Sequence, residues 1–122
     1  MTSHERFIAA INHREPDRVP VDLGSSPSTG ISAIAYSNLK KFLGITSGNV
    51  RINDVIQQLA RPEEDILTSF QIDLPDIGNT FNVNDKDWYN IKLWNGNVAQ
   101  YPVWFTPKHT EKGGWVVNNY AG

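Results

Sequence analysis

The side chains able to do chemistry in this chain are carboxylates, hydroxyls and a few cations. Among 122 residues there is no cysteine, so thiolate nucleophiles, disulfides and cysteine-based zinc sites are excluded. Three aspartates stand at the edges of short β runs. Val19, Val21 and Leu23 alternate toward Gly24, with Asp22 near the end of the run. Residues 72–77 form a second run, interrupted by Pro75, with Asp73 near its start and Asp76 near its end. A carboxylate at a strand end can orient a substrate or act as a base. It can equally cap the next turn with its own side chain. Asp73 reads as a junction between helix and strand, which leaves Asp22 and Asp76 as the candidates. Between the two runs, the loop at residues 24–30 (Gly-Ser-Ser-Pro-Ser-Thr-Gly) has neither GxGxxG nor Walker spacing. It offers hydroxyls and backbone amides, suited to a neutral or monoanionic group.

The cations do not assemble a site by spacing. His4, His13 and His109 show no i, i+4 or His-x-x-Glu pattern, so no metal is expected. Arg14 and Arg18 bracket Glu15 and Asp17, which reads as a solvated junction held by local ion pairs, with anion recognition beside the first strand as the functional alternative. Lys40-Lys41 is the one adjacent basic pair and suits a helix C-terminus.

These residues need elements to position them. Thr2 and Glu5 form a capping box for a first helix over residues 3–12, with Phe7, Ile8 and Ile11 as its apolar stripe. Ser28 or Thr29 can cap a second helix carrying Ile31, Ile34, Leu39, Phe42 and Leu43, with Gly44 as its left-handed stop. A third helix is expected from Asn53 or Asp54 through Val55, Ile56 and Leu59. A fourth starts with Pro62 as its first residue, followed by three acidic residues and the buried face Ile66, Leu67 and Phe70. Beyond residue 80 the pattern changes. Asn95-Gly96, between residues 91–94 and 98–101, predicts a two-residue primed hairpin turn. Gly113-Gly114 leads into Trp115-Val116-Val117, and residues 81–120 read as an antiparallel, aromatic-rich β segment. All four tryptophans fall there. They could line a ligand or protein surface, or form the apolar face of a small sheet.

Composition is that of a soluble globular protein, 39% hydrophobic and 20% charged with net charge −2. No basic face suggests nucleic acid. No apolar stretch is long enough for a membrane span or signal peptide, so a cytoplasmic location is expected.

Four ordered segments carry a family resemblance. Residues 3–12 (Ser-His-Glu-Arg-Phe-Ile-Ala-Ala-Ile-Asn) lead into His13-Arg-Glu-Pro-Asp-Arg-Val-Pro-Val-Asp22. Residues 31–45, then 54–60 and 70–73, follow at matching spacing. Together these resemble the opening of uroporphyrinogen-decarboxylase-like proteins, the superfamily of the haem-pathway decarboxylase and of corrinoid-dependent methyltransferases. The resemblance implies a (β/α)8 barrel, which needs about 200 residues or more. The expected fold is therefore α/β, the N-terminal fragment of a TIM barrel. Residues 1–80 would supply helices and the first two barrel strands, and residues 81–122 a truncated antiparallel excursion.

In such barrels function sits at the C-terminal strand ends. The resemblance thus makes Asp22 and Asp76 catalytic candidates, with Gly24, Ser25 and Ser26 as substrate contacts. In the decarboxylase, the matching loop carries Met-Arg-Gln-Ala-Gly-Arg, whose arginines hold substrate carboxylates. Residues 22–31 contain no arginine, so the chain is closer to the methyltransferase-like branch. The parent's corrinoid and zinc would be held by residues absent here, its partner being a small-molecule substrate or a corrinoid protein. The 122 residues alone should be inactive and should self-associate through uncovered edges and faces. The alternative is a self-contained α+β binding or interaction module that presents its aromatic sheet to a partner.

Overall fold

The computed structural model describes residues 1–77 and 82–117. Helix α1 (Ser3–Ile11) starts as expected. The Thr2 hydroxyl accepts from the Glu5 N–H at 3.2 Å, and the Glu5 carboxylate accepts from the Thr2 N–H at 2.8 Å. Its inward face is not the expected stripe. Arg6 and Ala9 are buried while Ile11 is exposed, because α1 lies against acidic partners rather than an apolar wall.

After α1, residues 19–23 run beside residues 72–76. Asp22 and Leu74 form a parallel bridge, and the Val21 carbonyl accepts from the N–H groups of Asp73 and Leu74 at 2.8 and 3.2 Å. The contact stays a single bridge rather than a ladder. Pro20 and Pro75 each remove a donor from the two segments.

A 3₁₀ turn (Pro27–Thr29) precedes strand β1 (Ile31–Ser32) and helix α2 (Ala33–Phe42). Ser32 caps α2 by accepting from the Ala35 N–H, later than the expected Ser28 or Thr29, which lie in the 3₁₀ turn. Gly44 stops α2 at φ +70° as expected. The helix expected from residue 53 is instead a hairpin of β2 (Ile52–Asp54) and β3 (Leu59–Ala60), which with β1 forms an antiparallel sheet in the order β1-β3-β2. The Asp54 carboxylate accepts from the Ile56 and Gln57 N–H groups, both at 2.9 Å, and Gln58 is left-handed at φ 58°. That side-chain turn competes with a helix and wins over so short a segment. Helix α3 (Glu64–Ser69) begins two residues after Pro62 and buries Ile66.

Strands β4 (Trp88–Lys92) and β5 (Val98–Pro102) form the expected hairpin, but with a three-residue loop. The Gly96 N–H donates to Leu93 O and the Leu93 N–H to Asn97 O, and Gly96 takes φ +83° without a positive φ at Asn95. The pattern is a type I turn followed by a left-handed glycine. It recurs between β6 (Lys108–His109) and β7 (Trp115–Val116), with Thr110, Gly113 and Gly114 in the matching places.

One apolar core joins α2, the β1-β3-β2 sheet, α3 and the β4–β5 hairpin. Tyr36, Ile52, Ile66 and Ala99 are buried together, with Ile91, Leu93 and Tyr101 packed on them, and the Gln100 N–H reaches Val50 O at 2.8 Å. The described residues are thus a mixed α/β assembly of short helices and small antiparallel sheets. The expected boundary at residue 80 lies outside them. Among them, no helix is long and apolar enough to cross a membrane.

Candidate functional site

The parallel contact between residues 19–23 and 72–76 has two ends of different chemistry. At its N-terminal end, Arg6 on α1 is 6% exposed and its guanidinium bridges two carboxylates. It donates to Asp17 at 2.7 and 2.9 Å and to Asp73 at 2.5 Å. Arg18 donates to the same Asp73 carboxylate at 2.6 and 3.0 Å, and the Val21 N–H adds a bond at 3.0 Å. Burial pushes the Asp73 carboxyl up, but the bonds from Val21, Ser3, Arg18 and Arg6 outweigh it and hold it well below the carboxylate range. Asp17 is lowered chiefly by its bond to Arg6, against a smaller opposing effect of desolvation. The charged junction is therefore a long-range clamp. Asp73 is its hub, and Arg18 pairs across 55 residues rather than locally.

At the C-terminal end stand the expected site residues. Asp22 accepts from the Ser25 N–H at 3.1 Å, the Ser25 hydroxyl at 2.6 Å and the Thr29 hydroxyl at 3.0 Å. All of these bonds brace the loop. Gly24 holds φ +86°, and a Cβ there would lie 3.1 Å from Pro62 Cδ, so glycine is what lets the loop close on the segment before α3. The loop's amides are spent internally: Gly24 N–H on Thr29 O, Ser25 N–H on Asp22 and Ser26 N–H on the Thr29 hydroxyl. Gly24, Ser25 and Ser26 thus form a wall rather than a cradle of free donors.

That wall lines a small cleft of about 90 Å³ with Arg61, Pro62 and Asp76. The same Arg61, Pro62 and Asp76 also line an adjoining cleft of about 430 Å³, together with Arg51, Glu63 and Glu64. Asp22 lines neither. Asp76 does, and accepts from Asn53 Nδ2 at 3.1 Å. The structure therefore separates the two candidate aspartates, Asp22 as a brace behind the loop and Asp76 on the cleft wall.

Among the cleft's charges, most are engaged elsewhere. Arg51 stacks over the Trp88 ring at 5.3 Å, donates to Gln100 at 3.0 Å and pairs with Asp85. Glu63 accepts from Lys40 at 2.5 Å and from the Asn49 N–H at 2.7 Å, while its own N–H donates to the buried Tyr36 hydroxyl. Burial pushes that phenol up to about 12, so it stays a neutral acceptor. Arg61 was not foreseen. It sits in no motif, and only the fold brings it opposite the loop. Among the described residues, Arg61 takes part in none of the ion pairs.

The histidines stay apart, with His109 edge-on to Trp115 at 5.1 Å between ring centres. Among the described residues, no three His, Asp or Glu side chains converge into a metal-holding set. Compared with known proteins, the chain matches no family model, no curated protein and no solved structure.

Proposed function

We propose that this chain is the N-terminal portion of a uroporphyrinogen-decarboxylase-like barrel enzyme of the corrinoid methyltransferase-like branch. The observation that carries the proposal is the parallel bridge between Asp22 and Leu74. Adjacent first and second strands of a (β/α)8 barrel run side by side in parallel, joined by a helical crossover, with function at their C-terminal ends. The bridge between residues 19–23 and 72–76 supports that reading: α2, α3 and the β1-β3-β2 sheet lie between them in sequence, and the clefts open beside Gly24 and Asp76. Asp76 is then the carboxylate that meets substrate, and Asp22 positions the loop. Corrinoid and zinc, if the parent uses them, belong to residues outside this chain, and a corrinoid protein would be its partner. The setting is cytoplasmic. The namesake decarboxylation is disfavoured, since several substrate carboxylates would require several uncommitted guanidinium groups.

Exposed apolar side chains fit an incomplete barrel. Ile11, Val19, Phe42 and Ile56 all face solvent, Phe42 at 87%. The 122-residue chain alone should therefore self-associate and show no turnover. A second reading, a self-contained α+β binding module, draws on the single core that joins α2, β2, α3 and β5.

Turnover by the full-length parent separates these readings. Methyl transfer from methylated corrinoid, lowered at least tenfold by Asp76→Asn, supports the proposal. Robust decarboxylation of uroporphyrinogen overturns the branch. A natural gene product that ends near residue 122, monomeric by light scattering, favours the module.

A further inference from the structure

We infer that the cleft between the residue 24–26 loop and Asp76 binds a small molecule through one carboxylate, and that Arg61 is the residue that holds it. This deepens the reading above, resting on its assignment of the C-terminal strand ends as the binding face. Three observations lead to it. The Gly24, Ser25 and Ser26 amides are all spent within the loop, so backbone donors cannot hold an anion there. Arg51, the other guanidinium on the cleft, is committed to Gln100, Asp85 and the Trp88 ring. Arg61 lines both clefts, takes part in none of the ion pairs among the described residues, and presents a planar fork matched to a carboxylate.

The surrounding charges set the ligand's valence. Glu63, Glu64 and Asp76 line the larger cleft with Arg61. Three carboxylates repel a dianion more than a monoanion, so phosphate is disfavoured relative to carboxylate. The loop wall closes one side, where Gly24 packs against Pro62 so closely that a Cβ would lie 3.1 Å from Pro62 Cδ. A compact body with its carboxylate on Arg61 would reach toward Asp76.

Titration of the ¹⁵N-labelled 122-residue chain at constant ionic strength tests this directly. The probes are acetate, its neutral isostere acetamide, and inorganic phosphate. The expected result is a saturable shift of the Arg61 Nε–H and of the Ser26 and Asp76 amides with acetate, little shift with acetamide, and weaker binding of phosphate. Arg61→Gln should weaken acetate binding about tenfold or more, in line with loss of a charge-assisted bond. Arg61→Lys, which keeps the charge and loses the fork, should fall between, and serves if the Gln variant does not fold. Equal shifts from acetamide, tighter binding of phosphate, or unchanged acetate binding in the Arg61 variants would each overturn the inference. The readout needs no methyl transfer, so carboxylate binding by a parent that lacks that activity would keep this site and remove only the branch assignment.

Discussion

At the N-terminal end of the parallel contact, Arg6, Arg18, Asp17 and Asp73 satisfy one another, and the Asp73 side chain is wholly buried. At the C-terminal end, Asp76 and Arg61 line open clefts, and the Arg61 guanidinium stands outside the ion pairs among the described residues. Asp73 and Asp76 thus do opposite work three residues apart on the same segment, each beside arginines brought in from elsewhere in the chain. Closed charge networks fix geometry, whereas a charge left unpaired at a cleft is available to a ligand. The comparison also explains why the contact holds with so few backbone bonds. Its prolines limit the ladder, and the clamp at one end supplies the missing order.

The largest effect should come from breaking the clamp. Asp73→Ala leaves the Arg6 guanidinium without its buried partner and should destabilise the chain by about 3 kcal/mol. At the other end, Ser26→Ala should change stability by no more than about 0.5 kcal/mol. Denaturant melts of the two variants side by side measure the asymmetry, and similar losses would erase it.

Acid should find the same end first. The carboxyls of Asp17 and Asp73 lie below their unfolded values, so the unfolded chain takes up protons before the native one as pH falls. Their contribution is complete above about pH 4, the unfolded aspartate value, and is lost as pH drops below it toward the folded values. Thermal melts between pH 7 and pH 2 should show that decline, and Asp73→Ala should flatten it.

How much of this was legible in the sequence depends on how local its cause is. The α1 capping box, the Gly44 stop and the β4–β5 hairpin all rest on contacts within a few residues, and each was readable. The helix expected from residue 53 failed because Val55, Ile56 and Leu59 mimic a helical stripe, while Asp54 captures the next amides for a turn. Arg6 carries no local signal, since its partner Asp73 is 67 positions away. Arg61 carries no spacing signal at all. Of the two β runs expected to carry the site, the structure keeps only the Asp22–Leu74 bridge, and which aspartate faces the cleft depends on how the loop folds back.

Two glycines sharpen the comparison further. Gly24→Val meets both a left-handed φ and the Pro62 ring, and should cost about 2 kcal/mol. Gly96→Val meets open space and only the conformational penalty, so about 1 kcal/mol is expected. Equal losses would mean that the loop does not press on Pro62. The smallest effect belongs to Asp22→Asn. The amide oxygen still accepts from Ser25 and Thr29, and the loss should stay under about 1 kcal/mol. In the parent, turnover should also survive that change, in contrast to Asp76→Asn.

The parallel contact itself underlies every statement about the two ends, and amide hydrogen exchange in the 122-residue chain tests it most directly. The N–H groups of Asp73 and Leu74 both donate to the Val21 carbonyl. They should exchange as slowly as the β4–β5 ladder amides in the wild-type chain, and in Asp73→Ala, which opens the clamp, both should speed toward the unprotected rate. Unprotected exchange of Asp73 and Leu74 in the wild-type chain would contradict the pairing, and with it the division between a locked end and an open one.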